Sequence, residues 1–189
     1  MTSDTDASGR RLIHQRKVEC LGYLRADGLW DIEGRLADSK THPAVLTDGS
    51  IVETGQVYHG MLVRLTLDDE FTIHEVEVSM PHVPTNQCRG AATFYNQLIG
   101  VRIGPGFTRK AKELFGGNKG CVHLTELLQP IATTAFQTIP MARSLVAPRN
   151  ERDVDSYRRA THRLIDTCYA LRASGPVALN IKSHMDPAE

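Results

Sequence analysis

Cys121, His123 and Glu126 stand within six residues of one another at the head of an apolar stripe. A thiol, an imidazole and a carboxylate are the groups with which a protein moves protons and attacks carbonyl carbon. His123 and Glu126 are three apart, so a helix starting here carries them on one face. The unpaired N–H groups of a helix N-terminus carry about half a positive charge, which favours a thiolate at Cys121 or a bound anion. An imidazole, with an intrinsic pKa of about 6.5, serves either direction of proton transfer near neutrality. Cys121 also begins the stripe Leu124, Leu128, Ile131, Ala135, so a buried core thiol stands as the alternative reading.

A second group offers metal ligands. Cys88 follows Pro84 at the opening of another helix. If the fold joins the two helix starts, Cys88, Cys121 and His123 supply three ligands of a tetrahedral zinc site, with His82 or Asp38 as the fourth. A third group, Tyr23, Asp31, Glu33 and Arg35, occupies the polar positions of a hairpin, as a substrate-binding row or as a solvated face tied by cross-strand pairs. Arg102 precedes Gly104-Pro105-Gly106 and can steady an anion at the helix start that follows. No Walker loop, dinucleotide fingerprint, nucleophile elbow or His-Glu-x-x-His helix is present in the sequence. Chemistry here therefore falls to side chains or to a bound metal.

The elements that position these residues alternate first and spiral later. Apolar alternation from Lys17 to Leu36 around Ala26-Asp27-Gly28 predicts a hairpin with a three-residue loop. That loop pairs Leu24 with Trp30, Gly22 with Ile32, Cys20 with Gly34 and Val18 with Leu36, leaving Glu19 opposite Arg35 and Tyr23 opposite Asp31. A two-residue loop would mix the faces. A second hairpin turns at Asp68-Asp69-Glu70, and its return strand changes phase around His74-Glu75, which predicts a bulge. Residues 42–55 between the hairpins read as loop. Helices follow over residues 90–99 and 105–115, each ended by glycine. The Cys121 stripe is helical with a kink or restart at Pro130, Pro140 and Pro148 bracket a connector, and a last helix runs from about 150 to 173. Strands first and helices afterwards predict an α+β fold, an antiparallel sheet of two hairpins covered on one face by three or four helices. The expected division is a disordered lead-in over 1–11, one α+β domain over 12–140, a connector and amphipathic helix over 141–175, and a tail over 176–189.

Composition agrees with a folded enzyme-sized domain. The 189 residues are 41% hydrophobic and 23% charged, with 22 basic and 22 acidic side chains. Zero net charge removes the field a non-specific nucleic-acid binder uses. No apolar run reaches the roughly 20 residues that cross a bilayer, and the first residues lack a signal-peptide core. The four cysteines are widely spaced with no Cys-x-x-Cys, so reduced thiols and a cytoplasmic location are expected. Arg152, Arg158, Arg159 and Arg163 line the polar side of the last helix and suit a homodimer contact or a place as a non-catalytic subunit of a larger enzyme.

Three strings carry a resemblance: Val18-Glu19-Cys20-Leu21-Gly22-Tyr23 with Asp27-Gly28-Leu29-Trp30-Asp31-Ile32-Glu33-Gly34, then Gly100-Val101-Arg102-Ile103-Gly104-Pro105-Gly106-Phe107, then Gly120-Cys121-Val122-His123-Leu124-Thr125-Glu126-Leu127-Leu128. Together they resemble a bacterial family of unknown function over roughly residues 11–140. Residues 61–136 are also similar to iron–sulfur cluster scaffold proteins, which implies cluster ligands at Cys88 and Cys121. The late motif departs from that pattern, reading Cys-Val-His in place of His-Cys, and the first strand pair of the segment has no cysteine. The reading that follows is a small cofactor-free enzyme of aromatic or acyl catabolism, a lyase or a hydrolase, with His123, Glu126 and Cys121 catalytic. A zinc or iron–sulfur scaffold or sensor is the alternative.

Overall fold

The computed structural model describes residues 5–146, 161–162 and 164–183. Its frame is a four-stranded antiparallel sheet of β1 (His14–Leu24), β2 (Trp30–Lys40), β5 (Val57–Leu67) and β6 (Ile73–His82), in the order β1-β2-β5-β6. β3 (Ala44–Val45) and β4 (Ile51–Val52) form a separate small hairpin between β2 and β5. The segment 42–55 is thus not plain loop. After the sheet come a run of 3-10 turns (Asn86–Leu98), α1 (Phe107–Phe115), α2 (Val122–Val146) and α3 (Pro176–Ser183). This is the α+β class.

The first hairpin has the register that its hydrophobic faces require. Leu24 lies opposite Trp30, Cys20 opposite Gly34, Val18 opposite Leu36, and Glu19 opposite Arg35. Arg25 N–H donates to the Leu29 carbonyl at 2.8 Å, and Gly28 takes the left-handed conformation at φ +84° that closes the three-residue loop. In the second hairpin Thr66 faces Glu75 while Leu67 faces Ile73, so His74 is the extra residue of a bulge. The phase change in the sequence has this origin.

The inward face of the sheet carries Trp30, Ile32, Leu36, Met61, Val63 and Leu65, all buried. Helix α2 lies against it. A Cβ added at Gly34 would fall 2.6 Å from Cδ1 and Cγ1 of the fully buried Ile131. Gly34 is glycine because helix and sheet touch there. Burial of Leu124, Leu127, Leu128, Ile131 and Ala135 also explains why α2 passes through Pro130. Losing one backbone bond and crowding a carbonyl costs about 3 kcal/mol, whereas each buried Leu or Ile returns roughly 1.5–3 kcal/mol. The expected connector after Pro140 is likewise helical as far as Val146.

Other expectations need correction. The helix over 90–99 is a longer 3-10 stretch, although Gly100 does end it, at φ +81°. Residues 164–173 form turns in place of the end of a long helix, with Asp166 Oδ1 accepting from the Ala173 N–H at 2.7 Å. Residues 150–160 and Arg163 of that expected helix lie outside the described residues. Within the lead-in Thr5 bridges Arg11, with the Asp6 carboxylate accepting from Ser8 and Arg10. The chain divides into two compact units, Met1–Ala135 and Phe136–Glu189.

Gly34→Ala should destabilise the protein by about 1–3 kcal/mol, the usual cost of forcing an extra methyl into a packed core. Adding Ile131→Val, which removes Cδ1, should recover part of that loss in a double-mutant cycle by chemical denaturation.

Candidate functional site

Three neighbouring strands place Arg16, Asp38 and His59 in one transverse row. Arg16 on β1 pairs with Asp38 on β2, and Asp38 pairs with His59 on β5. All three share the inward phase: Arg16 with Val18, Asp38 with Leu36, His59 with Met61. Immediately beyond this row the β2–β5 register shifts, so Ser39 faces Val57 and Tyr58 is extra. Bulges beside a site re-aim side chains in this way.

Asp38 is the centre. Its side chain is 1% exposed, yet it is charged. Arg16 grips it with two parallel bonds, Nε to Oδ1 and Nη2 to Oδ2, each 2.8 Å. His59 Nδ1 lies 3.1 Å from Oδ2, His123 Nε2 3.7 Å from Oδ2 and His14 Nε2 3.3 Å from Oδ1. Burial by itself would raise the carboxyl's pKa; the Arg16 hydrogen bonds and charge, helped by His14 and His59, overcome it and hold it at about 2.

Helix α2 brings the remaining groups. Tyr95, fully buried, fixes the start of that helix: its hydroxyl accepts from the Cys121 N–H at 3.2 Å and donates to the Cys121 carbonyl, 2.8 Å away. Its ring stacks on Phe115 at 4.3 Å, and burial pushes the phenol's pKa up, so it stays a neutral donor. From this anchor His123 reaches Asp38. Glu126 accepts from Arg16 Nη1 at 2.6 Å, and Cys121 Sγ sits 3.9 Å from His123 Nδ1.

The two imidazoles form a tilted pair, ring centroids 4.1 Å apart, and His59 is braced edge-on by Tyr58. They are 15% and 17% exposed, so water or a small molecule can reach them. Burial lowers the pKa of both rings. For His59 the nearby His123 adds to this, and for His123 the Arg16 charge does, against the opposing pull of Asp38. Between α1 and α2 is a cavity of about 290 Å³ with Phe107, Ala111, Phe115, Val122 and Leu128 in its lining. Asp38, His59 and His123 do not line it, and its link to them is Glu126, the partner of Arg16.

The sequence-nominated residues divide. Cys121, His123 and Glu126 do come together: Cys121 lies beside His123, and Glu126 holds the arginine that grips Asp38. His123 faces Asp38, offered from sequence as a zinc ligand or as overhanging a site with Lys40 and His42. Tyr23, Asp31, Glu33 and Arg35 alternate onto the opposite sheet face, where the charged ones are already partnered: Arg35 pairs with Glu33 at 2.8 Å, and Asp31 accepts from the Thr66 hydroxyl at 2.7 Å and lies 3.6 Å from Arg25. Arg102 is bonded to Glu70 at the far end of the sheet. Trp30, at that end of β2, is eight residues from Asp38, or about 26 Å of strand. Cys88 lies in the 3-10 stretch. Among the described residues the group of metal-ligating type is Asp38, His59 and His123, without Cys88 or Cys121. Arg16, His14 and His59 were not nominated from sequence, although each stands in the inward phase of its strand.

An α+β fold with a buried carboxylate ringed by imidazoles is thus the class of protein defined here. The family DUF2889, proteins of unknown function, matches residues 14–137, and the chain belongs to it. Its span includes every residue of the cluster. No curated protein and no solved structure matches the chain. Among the described residues no helix is long and apolar enough to cross a membrane.

Arg16→Ala strands Asp38 in the interior. Breaking a buried pair costs roughly 3–5 kcal/mol; because Arg16 is 35% exposed and His14 stays near, about 2 kcal/mol is expected in denaturant titration. Tyr95→Phe removes the hydroxyl at the start of α2 and should cost about 1–2 kcal/mol by the same measurement.

Proposed function

We propose that the protein is an enzyme that moves a proton on a small molecule at the Asp38–His59–His123 cluster, a lyase or a hydrolase. One observation carries the reading: a buried carboxylate, locked as an anion by Arg16, has two partly accessible imidazoles facing one of its oxygens. An oriented imidazole backed by such an anion is a competent base, because the carboxylate fixes the tautomer and stabilises the ring once it is charged.

The two rings suit different steps. His59 turns Nδ1 to Asp38, which leaves Nε2 to remove a substrate proton in a lyase reaction. His123 turns Nε2 towards Asp38 and Nδ1 towards Cys121. In a hydrolase reaction that ring takes the thiol proton while sulfur attacks an acyl carbon. It then returns the proton to the leaving group, and water cleaves the thioester. Arg16, bonded to both Asp38 and Glu126, keeps the two carboxylates in place beside the imidazoles. The cavity sharing Glu126 has the size and partly apolar lining for a small aromatic or acyl group. The described cysteines are free, which fits a reducing compartment.

The test is turnover of a panel of small aromatic and acyl carboxylates, esters and thioesters, followed by mass spectrometry. His59→Ala and His123→Ala should each lower kcat/KM by at least about 100-fold with the fold retained, the ordinary yield of a positioned acid or base. Cys121→Ser should abolish a hydrolase and spare a lyase. Full activity in both histidine variants would refute the assignment.

A further inference from the structure

We infer that Asp38, His59 and His123 together bind one divalent transition-metal ion, in a site with three protein ligands and an open position. The inference rests on the proposed function only for its location. It adds a cofactor that the proton-transfer reading does not require.

The donor set and its spacing carry it. One carboxylate oxygen and two imidazole nitrogens lie within 4.8 Å of one another. Asp38 Oδ2 is 3.1 Å from His59 Nδ1 and 3.7 Å from His123 Nε2. Ligands about 2.0–2.1 Å from a tetrahedral ion are separated by about 3.3 Å along the tetrahedron's edge. The two spacings to Asp38 bracket that value, and the two imidazole nitrogens lie within 4.8 Å of each other, so small side-chain adjustments close the set around an ion.

The donors are also held by different elements. Asp38 comes from a central strand, His59 from its neighbour beside a bulge, and His123 from the first turn of α2. A chelate drawn from three separated parts of the chain is pre-organised by folding alone. The outer shell is equally built. Arg16 bonds both carboxylate oxygens, Tyr58 braces His59, and Cys121 lies beside the outer nitrogen of His123. Arg16 opposes a dication through its own charge. Glu126, 2.6 Å from Nη1, offsets it, leaving the two carboxylates and the one guanidinium with a net charge of about −1 before the ion enters.

Two imidazoles and a carboxylate suit zinc, cobalt or ferrous ion; a cluster or thiolate zinc centre would need thiol ligands. Three protein ligands with a fourth position open is the arrangement of a catalytic centre, whereas structural zinc is closed by four. His14 lies against the other carboxylate oxygen, Nε2 3.3 Å from Asp38 Oδ1, and is not one of the three ligands.

The experiment is elemental analysis of the full chain, purified without a histidine tag, stripped with chelator and dialysed separately against Zn²⁺, Co²⁺ and, anaerobically, Fe²⁺. About one equivalent per chain is expected from at least one of these, with Co²⁺ giving the visible absorption of a low-coordinate site. His59→Ala and His123→Ala should each weaken uptake by at least about 100-fold, at or beyond the 10–100-fold typical of losing an outer partner. Cys121→Ser should still take up about one equivalent, because the sulfur is not a ligand. Melting of the stripped variants at the wild-type temperature separates a lost ligand from a lost fold; if an alanine variant does not fold, His→Gln at the same position replaces it. Less than a tenth of an equivalent with all three ions, or wild-type uptake in both histidine variants, overturns the inference. Turnover by a protein that takes up no metal overturns the ion and leaves the proposed function intact. Stoichiometric metal in a protein without turnover on any substrate does the reverse.

Discussion

Among the described residues Asp38 is the charged side chain shut away from water, a costly placement, and much of the local architecture answers to it. An ionised group transferred unpaired into the interior would forfeit several kcal/mol of hydration even after relaxation. The sheet meets that cost with geometry. Antiparallel pairing sets Arg16 directly across from Asp38 on one side and His59 on the other, and a planar guanidinium can satisfy both oxygens together. Lysine in place of Arg16 would supply the charge but not the fork. The helix side is less tightly bonded: the separation of 3.7 Å between His123 and Asp38 is beyond a good hydrogen bond. His123 is therefore held by the start of α2 more than by the carboxylate, and that start is secured by Tyr95.

Two contacts outside the Asp38–His59–His123 group thus decide its shape. Tyr95 sets where α2 begins, and Gly34 sets how closely α2 approaches the sheet. Between them runs the buried row Leu124, Leu127, Leu128 and Ile131, which supplies the packing energy but tolerates some sliding. Apolar contacts are non-directional, so the hydroxyl and the glycine carry the positional information. Displacement of α2 by an ångström would separate His123 from Asp38 without exposing any of the core.

Much of the sheet was legible from period-two patterning. One face of the first hairpin is apolar or small, so only one loop length keeps its faces apart, and the bulge at His74 announced itself as a phase change. The helical end of the site was legible as well, since Cys121, His123 and Glu126 are local in sequence. Its other half was not. Arg16, Asp38 and His59 are 22 and 21 residues apart, and spacing along the chain says nothing about a row formed across strands. The available signal was phase: Arg16 continues the line of Val18 and Cys20, Asp38 that of Leu36, and His59 that of Met61 and Val63. A polar residue in an inward phase must find partners. The polar row Tyr23, Asp31, Glu33 and Arg35 was attractive because it was contiguous on paper, but its phase is outward. The passage of α2 through Pro130 and Pro140 was illegible for another reason: proline's cost is local, while the burial that outweighs it is tertiary.

The cluster's position at one end of the sheet follows from the same balance. In the middle of β2 and β5, ladder bonds are complete and side chains pack against α2, so Ile32, Val63 and Leu65 leave no space for water. At the Asp38–His59 level the ladder loses its regularity, the inward side chains become polar, and the first turn of α2 stands over them. There His59 and His123 can be half-dry, rigid on one side and reachable on the other. A buried anion further along β2 would have been equally charged but sealed. One placed beyond Lys40 would have been solvated and weak. The row at Asp38 is the level at which a carboxylate can be both desolvated by the core and within reach, through its imidazoles, of a molecule arriving from outside.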